Sequence, residues 1–569
     1  MEISEQMKQE VLAKAKAYVQ AETEEVFRSE VEKAIANEDY ADIYDRFYTA
    51  LAFGTAGMRG VIGGGTNRIN TFMVRKVTQG LAEYLIGNTA APSCTIAYDS
   101  RLYSKEFATA AAKVLAANGV KVYLYDTLHP VPMLSFAVRY LKSTAGIVVT
   151  ASHNPSKYNG YKVYWSDGGQ VTPPHDIGIS KLANAVEPAA IKDMCECEAR
   201  KQGLIESVPA DVDEAYYSMV INSLRRPEIL KESKVQVAYT PLHGTGNIPV
   251  RHMLNGLGFD VAVVKEQELP DGHFPTVKLP NPESAEAMTK VIALAKEVKA
   301  DIVLGTDPDA DRLGIAIPTT PEKTDYLLLT GNQIATLLAD YLLMTSKEQK
   351  REGTPLVVKS LVTTDIIRKI AEANGGVCHD VLTGFKYIAE EIEKIDSGKA
   401  APGLYYLFGC EESYGFLTVK HVHDKDAVSS CVAAVEMMAY YATQGKTLQQ
   451  RLEEIYDEYG FATEVVFARD YEGAEGKVIM KNIMADLHSK KVGDKLVGRT
   501  ITSVGDLLGE NTGFPKADVV IFTFESGEKL VVRPSGTEPK IKYYLFLSGE
   551  KNALRASAPA IKEEFMAAL

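Results

Sequence analysis

Residues 146–164 read GIVVTASHNPSKYNGYKVY, an apolar run that stops at a polar loop before a second apolar run begins. Ile147, Val148, Val149 and Val163 suit buried strands, whereas Ser152, His153, Asn154 and Lys157 are too polar to follow them inside, so Ser152 is expected at a strand end. The pattern returns with the loop TDPDAD after Gly305 and the loop CEESYG after Gly409. Around these loops, strands alternate with helices. The pattern predicts a strand at 95–98, a helix at 105–118 stopped by Gly119, a strand at 120–125 and a helix at 133–141. It repeats with a strand at 235–239 before a helix at 248–257, and a strand at 356–359 before a helix at 364–373 closed by Gly375 and Gly376.

Such alternation implies largely parallel sheets with helical crossovers. The expected fold class is therefore α/β: three related α/β domains with mixed, mostly parallel sheets, whose equivalent strand ends could converge their loops on one central cleft. Beyond the helical stretch 448–458 the rhythm changes to short runs such as 519–524 and 540–546 with a helix at the C-terminus, which predicts a smaller α+β domain. The boundaries expected are 1–205, 206–322, 323–456 and 457–569. Helical spacing of Ala, Val and Leu among Glu and Lys over the first ~48 residues predicts one or two amphipathic helices as a structural flank.

The length of 569 residues agrees with several domains, and 46% hydrophobic with 24% charged residues argues against extensive disorder. A net charge of -13 speaks against a nucleic-acid surface, while a local basic pocket for an anionic substrate stays compatible with it. No stretch approaches ~20 apolar residues, and the N-terminus is too charged for a signal-peptide core, so a cytoplasmic protein without membrane contact is expected. Six cysteines are too sparse for a disulfide scaffold; Cys195 and Cys197 are read as surface thiols.

Asp307, Asp309 and Asp311 stand in TDPDADR between the apolar runs DIVLG and LGIAI. Carboxylates so close repel one another unless a cation bridges them, and a hard divalent metal is the natural resident. An EF-hand fails, because its sixth and twelfth positions are Arg312 and Pro318. Three protein oxygens leave room for a phosphate oxygen, as at phosphoryl-transfer centres. In VVRPSGTEPKIKYY, Arg533, Ser535, Gly536, Thr537 and Lys540 gather donors suited to a phosphate dianion, although Pro-Ser-Gly also makes an ordinary turn. No Walker loop and no dinucleotide fingerprint occurs. Arg59 of GTAGMRG is a candidate active-site cation. Glu411 and Ser413, two apart, would point the same way on extended backbone and suit sugar hydroxyls. In HVHDKDAV, His421, His423 and Lys425 are possible proton carriers, with Asp424 and Asp426 to orient them; the two histidines also raise the question of a metal.

A serine hydrolase would need a base and usually a G-x-S-x-G elbow, whereas residues 150–154 read T-A-S-H-N. His153 is adjacent, and neighbouring side chains on extended backbone diverge, which makes it a poor base for Ser152. The alternative is that Ser152 carries a phosphate, neutralised by a metal on the aspartate loop and by nearby Lys or Arg.

TASHNPSKYNGYKVY, GTDPDADR, GCEESYG and RPSGTEPK, in this order and at these separations, resemble the four signature loops of the α-D-phosphohexomutases from about Phe53 to the C-terminus. FGTAGMRG, VRKVTQGLA, TPLHGTG and TGFKYI resemble most the phosphoglucomutase branch, which also contains phosphopentomutases. The resemblance implies a four-domain, heart-shaped enzyme with one loop per domain around a deep cleft. It implies phosphoserine at Ser152, and Mg²⁺ held by Asp307, Asp309 and Asp311 against that phosphate. Glu411 and Ser413 would bind sugar hydroxyls, with Thr383, Gly384 and Lys386 helping, and Arg533, Ser535, Gly536 and Thr537 would clamp the phosphate that is not reacting. Lys425 would be the general acid/base, with Lys162, Arg59 and His153 as further candidate catalytic residues. The implied reaction interconverts α-D-glucose 1-phosphate and glucose 6-phosphate through glucose 1,6-bisphosphate, which also primes the enzyme. Sugar phosphates are the implied partners of a monomer or dimer. Glu412, Ser413, Tyr414 and Gly415 replace the Met-Ser-Gly-His of the bifunctional phosphomannomutases, which favours glucose over mannose. Phosphopentomutase, phosphomannomutase and glucose-1,6-bisphosphate synthase activities remain alternatives.

Overall fold

The computed structural model describes residues 4–54, 57–471, 473–510, 512–535 and 540–569. It divides into two compact units, each assembled from separated stretches of chain. The first comprises Met1–Leu329, Ala389–Ala400 and Ser413–Tyr440; the second comprises Thr330–Ile388, Ala401–Glu412 and Tyr441–Leu569.

The first unit holds two mixed sheets. In one, Ala145–Val149, Ser93–Tyr98, Lys121–Leu124 and Ile205–Ser207 run parallel, and Tyr158–Trp165 and Gly57–Val61 extend the edge antiparallel. In the other, Ile302–Thr306, Val237–Thr240 and Val261–Val263 are parallel, with Leu313–Pro318 and Tyr326–Leu328 added antiparallel. Each sheet therefore has one place where a central parallel strand turns back through a loop into an antiparallel neighbour. These two places are the serine loop, 150–157, and the aspartate loop, 307–312. Ile147, Val148, Val149, Ile302, Val303 and Leu304 are fully buried, so the stalks beneath both loops are core. That burial holds the loop ends in place, since each such side chain contributes roughly 1.5–3 kcal/mol.

The predicted strands and helices around the serine loop are present within a few residues of their expected ends, as Ser93–Tyr98, Ser104–Ala117, Lys121–Leu124 and Val131–Tyr140. The N-terminal segment differs from expectation. It forms three helices, Glu5–Ala21, Glu25–Ala36 and Tyr40–Phe47, where the apolar spacing suggests one or two. The chain breaks at Glu22, whose carboxylate turns back to accept from the Glu24 amide at 3.0 Å, and again at Glu38, which takes φ +53° before the capping residue Asp39. The flank is also part of the first domain's core: Tyr18, Phe27, Val31, Ile43 and Phe47 pack in one cluster with Ile69, Phe72 and Met73.

In the second unit, Val377–Val381, Thr354–Ser360 and Leu404–Glu411 form parallel pairs. A separate antiparallel sheet runs in the order Phe461–Asp470, Lys540–Gly549, Lys529–Pro534, Val520–Phe524, Arg499–Asp506 and Lys495–Leu496, accompanied by helices Gly473–Ser489 and Lys551–Ala568. An antiparallel sheet with two helices, and no parallel pair among the described residues, makes this the α+β domain expected at the C-terminus.

Candidate functional site

Ser152 is only 4% exposed, with φ +50°. Its Oγ donates to Asp307 Oδ2 at 2.7 Å and lies 3.0 Å from His153 Nδ1. Two sequence expectations are corrected here. Ser152 does follow the strand inside, because its amide donates to Thr150 Oγ1 at 2.8 Å and its hydroxyl has partners, which removes most of the cost of burial. The side chains of Ser152 and His153 also meet instead of diverging, because the left-handed backbone at Ser152 ends the strand's alternation. Burial, then Arg312 and Arg59, pushes the His153 imidazole well below its ordinary pKa, so it is neutral at physiological pH.

The aspartate loop comes to the serine from the other sheet. Asp307 and Asp309 are completely buried and Asp311 is 2% exposed, and ligand atoms of the three lie within 4.8 Å of one another. Asp307 Oδ1 accepts the amides of Asp311 and Arg312 at 3.1 and 3.0 Å. Asp309 Oδ2 accepts Thr150 Oγ1 and Lys162 Nζ, each at 3.1 Å. Lys425 Nζ stands 3.1 Å from Asp311 Oδ2 and 3.0 Å from Asp424 Oδ1. The loop's shape depends on a close backbone contact: a Cβ on Gly244 would lie 2.4 Å from Pro308 Cα, and Thr245 donates from its amide and hydroxyl to the Pro308 carbonyl at 2.8 and 2.9 Å. This is what the HGTG of TPLHGTG supplies.

The three carboxylates fit a divalent cation. Among the described residues, Oδ1 of Asp309 and Oδ1 of Asp311 are buried without a hydrogen-bond partner, and an orphaned buried carboxylate oxygen is costly unless a cation faces it. Burial, then mutual repulsion, pushes Asp307 and Asp311 upward, while Lys162 and Lys425 overcome the burial of Asp309 and hold it below the usual carboxylate range. An all-oxygen donor set suits a hard ion.

Arg101, unflagged in the sequence, anchors the serine loop. Its fully buried guanidinium donates to the carbonyls of Ser152, Asn154, Pro155 and Tyr158, 3.6 Å from Asp99. The only hint was a charged Asp-Ser-Arg triplet at the end of a buried strand. Arg59 donates to Asn154 Oδ1 at 2.8 Å, which ties the edge strand to the same loop. His423 packs against Arg139, whose Nη1 lies 3.0 Å from its Nδ1. Its ring, Asp167 and Glu393 make a second group with metal-ligand spacing, but the aspartate loop, all oxygen and with two orphaned buried carboxylate oxygens, is the better candidate for a hard metal. Ser413 is partly buried in the middle of the turn preceding Gly415–Leu417.

In the second unit, the Gly384 amide donates to Glu411 Oε1 at 2.7 Å, bringing TGFKYI against the glutamate of GCEESYG. Thr383 is partly buried, and Lys386 Nζ lies 5.1 Å from the Tyr387 ring centroid. Glu412, unassigned from the sequence, accepts Ser360 Oγ at 2.9 Å, and burial followed by the charge of Glu411 pushes its carboxyl up to about 7. Arg533 donates to Tyr544 Oη at 3.2 Å, with the charges of both glutamates also acting on it. The amide of Ser535 donates to the Lys540 carbonyl at 2.8 Å; Gly536 and Thr537 lie outside the described residues.

Sequence profiles of the phosphoglucomutase/phosphomannomutase α/β/α domains I, II and III match residues 50–190, 214–320 and 330–459. A phosphoglucomutase of Staphylococcus epidermidis is 38% identical over 88% of this chain and 91% of its own, and one of Staphylococcus aureus is 36% identical over 90% and 92%. Among solved structures, pp63/parafusin, a phosphoglucomutase from Paramecium in its open form, superposes with a TM-score of 0.68 at 18% identity, covering 91% of this chain and 95% of that one. A phosphoglucomutase/phosphomannomutase family protein from Burkholderia thailandensis gives 0.65 at 18%, covering 91% and 98%; at such identity these two likenesses speak to the fold. Among the described residues no helix is long and apolar enough to cross a membrane. The matched domains and the extent of identity establish that this chain belongs to the α-D-phosphohexomutase family, in its phosphoglucomutase branch, and is an intramolecular phosphotransferase.

Proposed function

We propose that this chain is a cytoplasmic phosphoglucomutase that interconverts α-D-glucose 1-phosphate and glucose 6-phosphate by way of a phosphoserine at Ser152. The observation that carries the reading is the 2.7 Å contact between Ser152 Oγ and Asp307 in a buried carboxylate group flanked by Lys162 and Lys425. The naming of relatives at 36–38% identity as phosphoglucomutases supports glucose as the sugar.

Phospho-Ser152 gives its phosphoryl group to the free hydroxyl of the sugar monophosphate: the Oγ–P bond breaks, the sugar O–P bond forms, and glucose 1,6-bisphosphate results. The bisphosphate turns over, and its other phosphate returns to Ser152. Bound Mg²⁺, held by Asp307, Asp309 and Asp311, would neutralise charge on the phosphoryl oxygens. Lys425 serves as the general acid/base: its ammonium protonates the departing serine oxygen, and the amine so formed takes the proton of the attacking sugar hydroxyl. It is placed for this by contact with both Asp311 and Asp424, whose carboxylate is itself fixed by Tyr164 at 2.7 Å. Lys162 and Arg59 balance charge around the phosphate, and neutral His153 offers the serine oxygen a hydrogen bond. Glu411, Ser413, Thr383, Gly384 and Lys386 orient the sugar. Arg533, Ser535, Gly536 and Thr537 hold the phosphate that is not reacting. The four-domain division at 205, 322 and 456 belongs to the same proposal.

A coupled assay primed with glucose 1,6-bisphosphate tests the reading by comparing glucose 1-phosphate, mannose 1-phosphate and ribose 1-phosphate. Glucose 1-phosphate is expected to have the highest kcat/KM. A higher value for ribose 1-phosphate or mannose 1-phosphate would reassign the sugar, and no turnover of any of the three would end the proposal.

A further inference from the structure

Cys195 and Cys197 have no part in this chemistry. They flank Glu196 where the chain enters the short helix Glu196–Lys201, both are exposed, and their Sγ atoms lie 2.6 Å apart. Cys94, Cys378, Cys410 and Cys431 are all buried. The segment carrying the pair is fixed: Ile191 and Met194 pack on the first domain's core, Ala199 is fully buried, and Asp193 pairs with Arg75 at 3.4 Å and Lys113 at 3.5 Å. Two exposed thiols are thus presented side by side on a rigid support, in a chain where they have no structural bridge to make.

We propose that Cys195 and Cys197 form a redox-active dithiol that exchanges with small-molecule disulfides and closes into an intramolecular Cys195–Cys197 bond. Either sulfur can donate in the contact between the two, so whichever thiol ionises first attacks and the other resolves; with Cys195 attacking, the exchange runs in two steps. The Cys195 thiolate forms a bond to one sulfur of the small disulfide and expels the other as a thiolate. Cys197 then loses its proton to solvent, attacks Cys195 Sγ and expels the second thiolate. The pair gives up two electrons and two protons, and the small disulfide is reduced to two thiols. Among the described residues, the groups with metal-ligand spacing include neither cysteine, which favours redox chemistry over metal capture.

The test is to incubate the native full-length protein with oxidised glutathione, trap with an alkylating agent, and read intact mass and peptide maps. Wild type is expected to lose two hydrogens, with Cys195 linked to Cys197, and dithiothreitol should reverse this. Cys197→Ser should stop at a single glutathionyl adduct on Cys195. Cys195→Ser should likewise stop at a single glutathionyl adduct on Cys197. Neither substitution should change mutase turnover. Wild type that accumulates the glutathionyl adduct without closing the bond, or that remains fully reduced, would overturn the proposal.

Discussion

Asp307, Asp309 and Asp311 are buried with Lys162 and Lys425 already in contact, whereas Glu411 and Glu412 are adjacent carboxylates, one of them kept protonated up to about pH 7. The first group has opposite charges set by geometry: amides on one oxygen, ammonium groups on two others, and two oxygens left for a cation. The second sets like charges together beside one arginine, and Ser360 alone stabilises the ionised form of Glu412 by a side-chain hydrogen bond among the causes acting on it. The difference teaches that one part of the chain pairs carboxylates with ammonium groups before substrate arrives, while the other can change its charge within the physiological range. Preorganised charge is what phosphoryl transfer needs, because the transition state cannot wait for dipoles to turn.

The contrast breaks most completely at the serine. Ser152→Ala is expected to lower turnover by on the order of 10⁴ or more, because no other side chain can carry the phosphoryl group. Its melting temperature should stay near that of wild type, which a thermal scan would check. Asp309→Asn should cost about 10²–10³ in kcat through loss of a charged contact to the phosphoryl site, and chelation of divalent metal should abolish activity reversibly, restored by added Mg²⁺. Arg101→Met separates positioning from chemistry. It leaves Asp99 buried and unpaired, so roughly 3–5 kcal/mol of stability should be lost, measured by urea unfolding, together with kcat and with little change in KM.

In the second unit the effects are smaller. Arg533→Ala removes a charge-assisted contact worth about 1.5–3 kcal/mol, which should appear as a tenfold or greater loss in kcat/KM; unchanged kinetics would falsify the clamp assignment. Glu412→Gln sharpens the electrostatic side of the comparison. Because the folded protein binds the Glu412 proton more tightly than the unfolded chain does, this residue favours folding below pH ~4.5 and loses that contribution as pH rises to about 7. The melting temperature of wild type should therefore fall across that window relative to the glutamine variant, and parallel curves would contradict the assignment.

Local patterns carried much of this architecture. The serine and aspartate loops were legible because β-branched runs such as IVV and DIVLG end abruptly in polar residues, a contrast readable one strand at a time. Glu411 and Arg533 were readable locally as sugar and phosphate candidates, and the resemblance linked their loops to the other two. What stayed hidden depended on contacts between residues far apart in sequence. Arg101 reaches carbonyls more than fifty positions away, and the pairing of Asp311 with Lys425 spans a greater distance still. The meeting of Ser152 with His153 required a left-handed residue that neither composition nor periodicity announces. The third N-terminal helix was missed for a similar reason, since its separation rests on the turn at Glu38 and the cap at Asp39 more than on a change in apolar spacing.

The central claim is that Ser152 carries the phosphoryl group. Incubating the protein with glucose 1,6-bisphosphate and Mg²⁺, then mapping phosphopeptides by mass, tests it most directly. The account predicts one phosphoryl group, on the peptide containing Ser152, that disappears when excess glucose 6-phosphate is added. Phosphate on another residue, or an unmodified Ser152 in a preparation that turns over rapidly, would contradict it.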